Sequence, residues 1–289
     1  MHYFDDSDKQ GLAIISISVA NIRRLPVFQS ELLNQTLLGT IVAYYDFQND
    51  FYYIQNRDGH FGWVNKHSLI PVSDEKAHYW YHHPKIYVHA NYAVIRKGDP
   101  SNGPIITDVV PTISLPAKQI TGSYATVELP NGEEGFLPRE TFLTEEEQQA
   151  IPATGEQVLL FAKKFLGVPY LWGGTSAKGF DCSGFVQTVY RLLNIDLPRD
   201  SGQMFTVGKP VGSGKEESDL QPGDLIYFGK NRRRINHVAI YMGEGLYIHA
   251  RGKVTINSIR PEHPLFEPYL FDLIIEAQRI LLQRHSSRH

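Results

Sequence analysis

The chain has 289 residues and a formal net charge of -3, with 42% hydrophobic and 20% charged residues. That is an ordinary globular balance, long enough for about two domains, and its slight acidity gives no electrostatic reason to expect a nucleic-acid partner. A single cysteine among the 289 residues excludes an internal disulfide framework and a thiolate zinc site.

No stretch approaches the roughly 20 consecutive apolar residues of a membrane-spanning helix. The opening "MHYFDDSDKQG" has no basic segment followed by an apolar one, so it does not read as a leader. The expected location is the cytoplasm, or the periplasm or exterior if a leader was removed before residue 1.

The first half repeats itself. "NIRRLP" at 21–26 is echoed by "VIRKGD" at 94–99, and "DGHFGWVNKHSL" at 58–69 by "NGEEGFLPRETF" at 131–142. Ile22 to Ile95 and Asp58 to Asn131 are each 73 positions apart. A constant offset over two separate matches predicts two copies of one unit. Each copy is rich in Ile, Val, Tyr and Phe and carries a tight Asp-Gly or Asn-Gly turn, which predicts β-hairpins and a small barrel. The stretch "DEKAHYWYHHPKIYVHA" between the copies carries His78, His82, His83 and His89. It reads as an aromatic-rich connector with surface imidazoles. No Cys or paired carboxylate completes a ligand set there, so no metal site is assigned.

"TEEEQQAIPATG" at 144–155 is acidic and then carries Pro and Gly, as an interdomain connector does. Thr154 and Gln157 stand at capping-box spacing, and Val158, Ala162, Phe165 and Leu166 mark one helical face ending at Gly167. The expected boundaries are 1–76, 77–150 and 151–289.

The lone thiol, Cys182, sits in "GFDCSGF". A glycine-rich segment precedes it, and Phe185, Val189, Leu192 and Leu193 follow on one helical face. Cys182 is therefore expected at a helix N-terminus, where the helix dipole and free N–H groups lower a thiol pKa toward the nucleophilic thiolate. A nucleophile needs a base. His237 in "INHVAIYMG" and His249 in "GLYIHARG" lie on two β-like segments joined by a Gly-Glu-Gly turn. Pairing of those strands brings the imidazoles together, one to take the thiol proton and one to orient it.

"PYLWGG", "DCSGF", "LPRDSGQM", "PGDLIYF", "NHVAIYMG" and "YIHA" occur in that order over about residues 152–260 and resemble the NlpC/P60 cysteine peptidases. "SVANIRRLP", "ELLNQTLLGT" and "DGHFGWV" resemble a bacterial SH3 (SH3b) domain, and the second copy, lacking "LLGT", resembles a diverged one. The resemblance implies an α+β chain: a papain-like NlpC/P60 catalytic domain preceded by two small SH3-like β-barrels. It implies Cys182 as nucleophile, His237 as general base and His249 as orienting residue. The whole chain resembles the YkfC-like γ-D-glutamyl-L-diamino acid endopeptidases, which implies murein peptides with a free N-terminal L-Ala as substrates and no cofactor. The substrate-binding positions carried over are Tyr170, Trp172, Ser183, Asp200 and Ser201, with Glu31 from the first SH3b copy meeting the free amine. Arg199, between Leu197-Pro198 and Asp200, reads as a surface charge. Two other classes fit the same cores, an acyl transferase and a non-enzymatic cell-wall or peptide-binding SH3b protein.

Overall fold

The computed structural model describes residues 8–281. Internal contacts divide the chain into two compact units, the first running up to Ile151 and including Trp172–Lys178, the second made of Pro152–Leu171 and the chain from Gly179 on. No helix among the described residues is long and apolar enough to cross a membrane.

The first unit is two seven-stranded antiparallel sheets. Strands β1 (Gly11–Ile15), β2 (Val19–Arg23), β3 (Leu32–Leu37), β4 (Ile41–Gln48), β5 (Phe51–Gln55), β6 (Phe61–Asn65) and β7 (Leu69–Val72) lie in the order β3-β2-β6-β5-β4-β1-β7. Strands β8 (Lys85–Val88), β9 (Ala93–Arg96), β10 (Ile105–Val109), β11 (Ser114–Ile120), β12 (Tyr124–Glu128), β13 (Glu134–Pro138) and β14 (Phe142–Thr144) lie in the order β10-β9-β13-β12-β11-β8-β14. The two orders are identical when each strand of the first copy is matched to its counterpart in the second.

The match reaches individual bonds. In the first copy the hairpin turn is closed by Asn56 N–H donating to His60 O at 2.8 Å, with Gly59 at φ +83°. In the second, Leu129 N–H donates to Glu133 O at 2.8 Å, with Gly132 at φ +85°. Both glycines occupy the left-handed region that side chains disfavour. Just after each turn a second glycine presses on the repeat's isoleucine. A Cβ at Gly62 would lie 2.5 Å from Ile22, and one at Gly135 would lie 2.2 Å from Ile95. The divergence of the second copy therefore spares the positions that set its geometry.

Ala13, Ile15, Ala20, Ile22, Val42, Ile54, Val64 and Leu69 form the first copy's core. Ile14, Leu37 and Leu38 instead join the second copy's core, built on Ile86, Val88, Ile95, Leu115, Val127 and Leu137. The segment read as a connector is in fact helix α1 (Asp74–His82), capped by Ser73. It buries Ala77 and Trp80, whose indole donates to Gly39 O at 2.8 Å. The histidine-rich run masked this apolar face. Helix α2 (Glu145–Gln149) closes the second copy with a full Thr144/Glu147 capping box.

The second unit packs helices on a six-stranded antiparallel sheet of strands β15 (Lys209–Gly212), β16 (Leu225–Gly229), β17 (Ile235–Gly243), β18 (Leu246–Arg251), β19 (Lys253–Ser258) and β20 (Ile274–Arg279). Their order is β15-β20-β16-β17-β18-β19. Helix α3 (Gly155–Lys163) is capped by Thr154 and buries Val158, Phe161 and Ala162. Phe165 is buried beyond its end, whereas Leu166 is 46% exposed, because the helix stops before the periodicity reaches it. Helix α4 (Cys182–Arg191) packs on α3 and across β17 and β18.

Candidate active site

Cys182 is the first residue of α4. Asp181 caps the helix, its Oδ1 accepting from the Gly184 N–H at 2.7 Å. The thiol is buried and lies against β17, with Sγ 4.0 Å from Asn236 O. The Ser183 N–H favours the thiolate, as a helix start predicts, and so does the Val238 N–H of β17. Burial outweighs them. Desolvation, with the nearby Asp181 charge, pushes the Cys182 thiol up to about 12. The position of Cys182 at a helix start is as expected from the sequence, but the direction of its pKa is opposite, because a dipole confined to one helix end is weaker than removal of an anion from water.

His237 on β17 and His249 on β18 are brought together by register. Ile240 pairs with Ile248, which places the two histidines diagonally on one face of the hairpin. His237 Nε2 lies 2.7 Å from His249 Nδ1, and the rings are edge to face at 5.0 Å. On the next strand, β19, Tyr247 pairs with Asn257, setting Asn257 diagonal to His249 in turn. His249 Nε2 lies 2.9 Å from Asn257 Oδ1.

This chain fixes protons. Asn257 Nδ2 donates to Leu265 O at 3.0 Å, so the amide presents its oxygen to His249. That oxygen only accepts, so His249 carries its proton on Nε2 and accepts on Nδ1. His237 must then donate from Nε2, which leaves its one lone pair on Nδ1. Both rings are neutral. Burial, then the repulsion two protonated rings would exert on each other and the Arg251 charge, hold His237 well below its ordinary range, and burial lowers His249 to about 4 although the Asn257 bond opposes it. Asn257 was not read as functional from the sequence; its signal was the alternation of "KVTINS" on a third strand.

A charged network lies on the other side of Cys182. Arg199 is 2% exposed. Its Nη2 donates to Asp181 Oδ2 at 2.5 Å, and its Nη1 to Asp181 Oδ1 at 3.1 Å and Ser183 Oγ at 2.8 Å. The surface-charge reading of Arg199 is therefore corrected: it is the partner of the helix cap, which lies 18 residues earlier in the chain. The Ser183 hydroxyl is engaged within this network and donates to Asp181 Oδ1 at 3.3 Å.

Tyr170 is half-buried, with its N–H donating to Gly252 O at 2.8 Å. Burial and the Cys182 and Asp181 charges raise its hydroxyl to about 12, so it remains an O–H donor. Asp200 is exposed at the cap position of the short helix α5 (Ser201–Met204), and Ser201 is buried in its first turn. Tyr170, Ser183, Asp200 and Ser201 belong to the second unit with Cys182, His237 and His249. Trp172 and Glu31 belong to the first, where the exposed Trp172 indole donates to Glu31 Oε1 at 3.1 Å. Arg24 pairs with the other Glu31 oxygen at 2.8 Å. A cavity of about 310 Å³ opens beside His237, lined among others by Tyr170, Asn236, Arg251 and Tyr269.

The arrangement supplies a thiol held on a helix start, a neutral imidazole whose tautomer is set by a chain of hydrogen bonds, and neutral O–H and N–H donors around them. That is the equipment of thiol acyl-transfer chemistry.

Comparison with known proteins points the same way. The NlpC/P60 family matches residues 167–272 and the bacterial SH3 domain residues 18–70. A γ-D-glutamyl-L-lysine dipeptidyl-peptidase of Bacillus cereus is 32% identical over 267 residues, covering 87% of this chain and 76% of that protein. Dipeptidyl-peptidase 6 of Lysinibacillus sphaericus is 28% identical, covering 88% and 94%. The crystal structure of an NlpC/P60 family protein from Bacillus cereus superposes with a TM-score of 0.83 at 26% identity, covering 94% of this chain and all of that one. With a lone thiol on a helix start, two strand histidines in register and these relatives along most of its length, the chain belongs to the NlpC/P60 family and carries a bacterial SH3 domain ahead of its catalytic unit.

Proposed function

We propose that the protein is a cysteine endopeptidase that hydrolyses the γ-D-glutamyl–L-diamino acid bond of murein peptides bearing a free N-terminal L-Ala, in cell-wall recycling or turnover. The observation that carries this reading is the hydrogen-bonded run Asn257–His249–His237 across β19, β18 and β17, the last being the strand against which Cys182 is buried. The named activity of the Bacillus cereus relative supports the choice of bond.

Each step follows from the proton positions. Thiolate and imidazolium are each disfavoured alone by burial, so they form together. As Sγ attacks the γ-carbonyl carbon of D-Glu, its proton passes to His237 Nδ1, and the net charge of the pair stays zero. The new imidazolium is stabilised through its Nε2–H bond to His249. It then gives the Nδ1 proton to the departing amine of the diamino acid. Water, deprotonated by His237, hydrolyses the thioester. The oxyanion is held by the backbone N–H of Cys182 and the Tyr170 hydroxyl, whose raised pKa keeps it a donor. Ser183 contributes its backbone N–H, since its hydroxyl is engaged by Arg199. Asp200 serves as a carboxylate for the L-Ala ammonium, with Ser201 lining the acyl half. A buried ammonium left without such partners is costly, so a blocked amine is rejected.

In this reading the chain is organised as 1–76, 77–150 and 151–289, and the second copy is a diverged SH3b barrel. Its support is the shared strand order and the repeated glycine–isoleucine contact.

The test uses L-Ala-γ-D-Glu-L-Lys with its amine free or acetylated. Cleavage of the free form alone, at the γ bond, is expected, with loss of activity of about a thousandfold or more in Cys182→Ala. Equal cleavage of both forms would overturn the amine requirement, and undiminished hydrolysis by Cys182→Ala would overturn the nucleophile.

A further inference from the structure

Arg251 is the last residue of β18 and stands in the same cavity as His237. It is exposed, and its guanidinium lies over the Tyr269 ring at 5.6 Å. Ring stacking orients a guanidinium without neutralising it. Among the described residues no carboxylate stands within ion-pair distance of Arg251. Its backbone is set by the tight turn at Gly252, whose φ of +73° favours glycine and whose carbonyl accepts the Tyr170 N–H. An unneutralised cation is thus aimed into the space next to the base. That placement has a cost, since its charge lowers both histidines further than burial alone. A bound anion would remove the cost.

The side of the scissile bond follows from what else lines the cavity. Of the second unit's substrate-binding residues named above, only Tyr170 does; Ser183, Asp200 and Ser201 do not. Its other walls come from the β18–β19 turn and from helix α6 (Pro268–Asp272) with Leu273. His237 is the group that protonates the departing nitrogen. In the leaving amino acid that nitrogen and the carboxylate carbon are bonded to the same α-carbon. A cation sharing a cavity with the base therefore meets that carboxylate when it is free, and a neutral amide when the peptide continues.

We propose that Arg251, held by Tyr269, is a specificity-determining carboxylate site on the leaving-group side, so that peptides ending at the diamino acid are preferred over longer ones. This rests on the bond assigned above. A charge-assisted pair of this kind corresponds to a preference of about tenfold or more.

The experiment compares L-Ala-γ-D-Glu-L-Lys, its C-terminal amide, and the analogue with D-Glu replaced by D-isoglutamine. The free acid is expected to have the higher kcat/KM, chiefly through KM. In Arg251→Gln the ratio of acid to C-terminal amide falls toward one, and Arg251→Lys restores part of it. A ratio that survives Arg251→Gln overturns the proposal. So does a ratio that tracks D-isoglutamine instead, since the carboxylate bound would then be that of D-Glu. Calorimetric binding of the acid and amide to Cys182→Ala, with and without Arg251→Gln, reads the same preference without turnover. Selective binding there by a wild type that cleaves a different bond would overturn the assigned bond but leave the carboxylate site standing; equal binding of acid and amide would overturn the site.

Discussion

Two polar networks flank Cys182, and they are built in opposite ways. On the β17–β18–β19 side, three uncharged groups, His237, His249 and Asn257, pass hydrogen bonds along a diagonal of the sheet. On the α4 side, a full ion pair, Arg199 with Asp181, is buried under the helix start. The neutral chain can accept a proton at one end and pass its consequence to the other, because every member has a second ring nitrogen or amide in play. The ion pair cannot. Both terminal nitrogens of its guanidinium and both oxygens of its carboxylate are engaged, by each other, Ser183 and the Gly184 N–H. One network is for moving a proton and the other for holding a backbone.

The largest effect that tests this division is removal of His237, the proposed base. His237→Ala is expected to lower kcat about a thousandfold while leaving the unfolding transition close to that of the wild type. An equal loss of fold would mean that the neutral chain is also structural.

Arg199→Met should do the reverse first. It strands Asp181 as a buried unpaired charge and costs about 3–5 kcal/mol of unfolding free energy in a urea titration. Adding Asp181→Asn, which can still cap the helix, should restore part of that loss. No recovery would mean that Arg199 stabilises by packing alone.

Acidification separates the networks again. His249 is held neutral down to about 4 in the folded chain, whereas an exposed histidine protonates near 6.5. As pH falls from about 6.5 to about 4, the unfolded chain binds a proton that the folded one refuses. Stability from this group is therefore intact above that window and is lost through it, by at most about 1.4 kcal/mol per pH unit. His237 shifts in the same direction and adds to the slope. Unfolding midpoints measured across this range should fall more steeply for the wild type than for His249→Gln.

The smallest effect isolates the tautomer. Asn257→Leu removes the acceptor that keeps His249 protonated on Nε2, so His249 can present its proton to His237 and turn the base the wrong way round. A fall in kcat of about 10- to 100-fold is expected with KM little changed. Asn257→Asp, which keeps an acceptor oxygen toward His249 and adds a negative charge, should recover turnover and move the acidic limb of the pH profile upward. A lost profile shift with full activity in both variants would remove Asn257 from the machinery.

The parts legible in the sequence were those with local signatures. A glycine-rich loop before an apolar helix located Cys182, two alternating runs around Gly-Glu-Gly located the histidines, and the 73-residue offset between Ile22 and Ile95 foretold two sheets with the same strand order. What the sequence hid depended on partners far along the chain. Arg199 looked like a surface charge because Asp181 is 18 residues away. Asn257 acquires meaning only once β19 is known to pair with β18. The pKa of Cys182 was misjudged because a helix start is visible in sequence and the depth of burial around it is not. The run of histidines in α1 obscured Ala77 and Trp80, whose side chains decide that the segment is a helix.

The core shared between the repeats has a consequence for how this chain can vary. Ile14, Leu37 and Leu38 are contributed by one copy to the interior of the other. Excising the first copy would open that interior to water, and excising the second would expose Ile14, Leu37 and Leu38, so the tandem should unfold in one cooperative step. It follows that recombination among relatives would be tolerated when it exchanges the pair as a block and selected against when it exchanges a single copy, even though each copy on its own has the outline of a module.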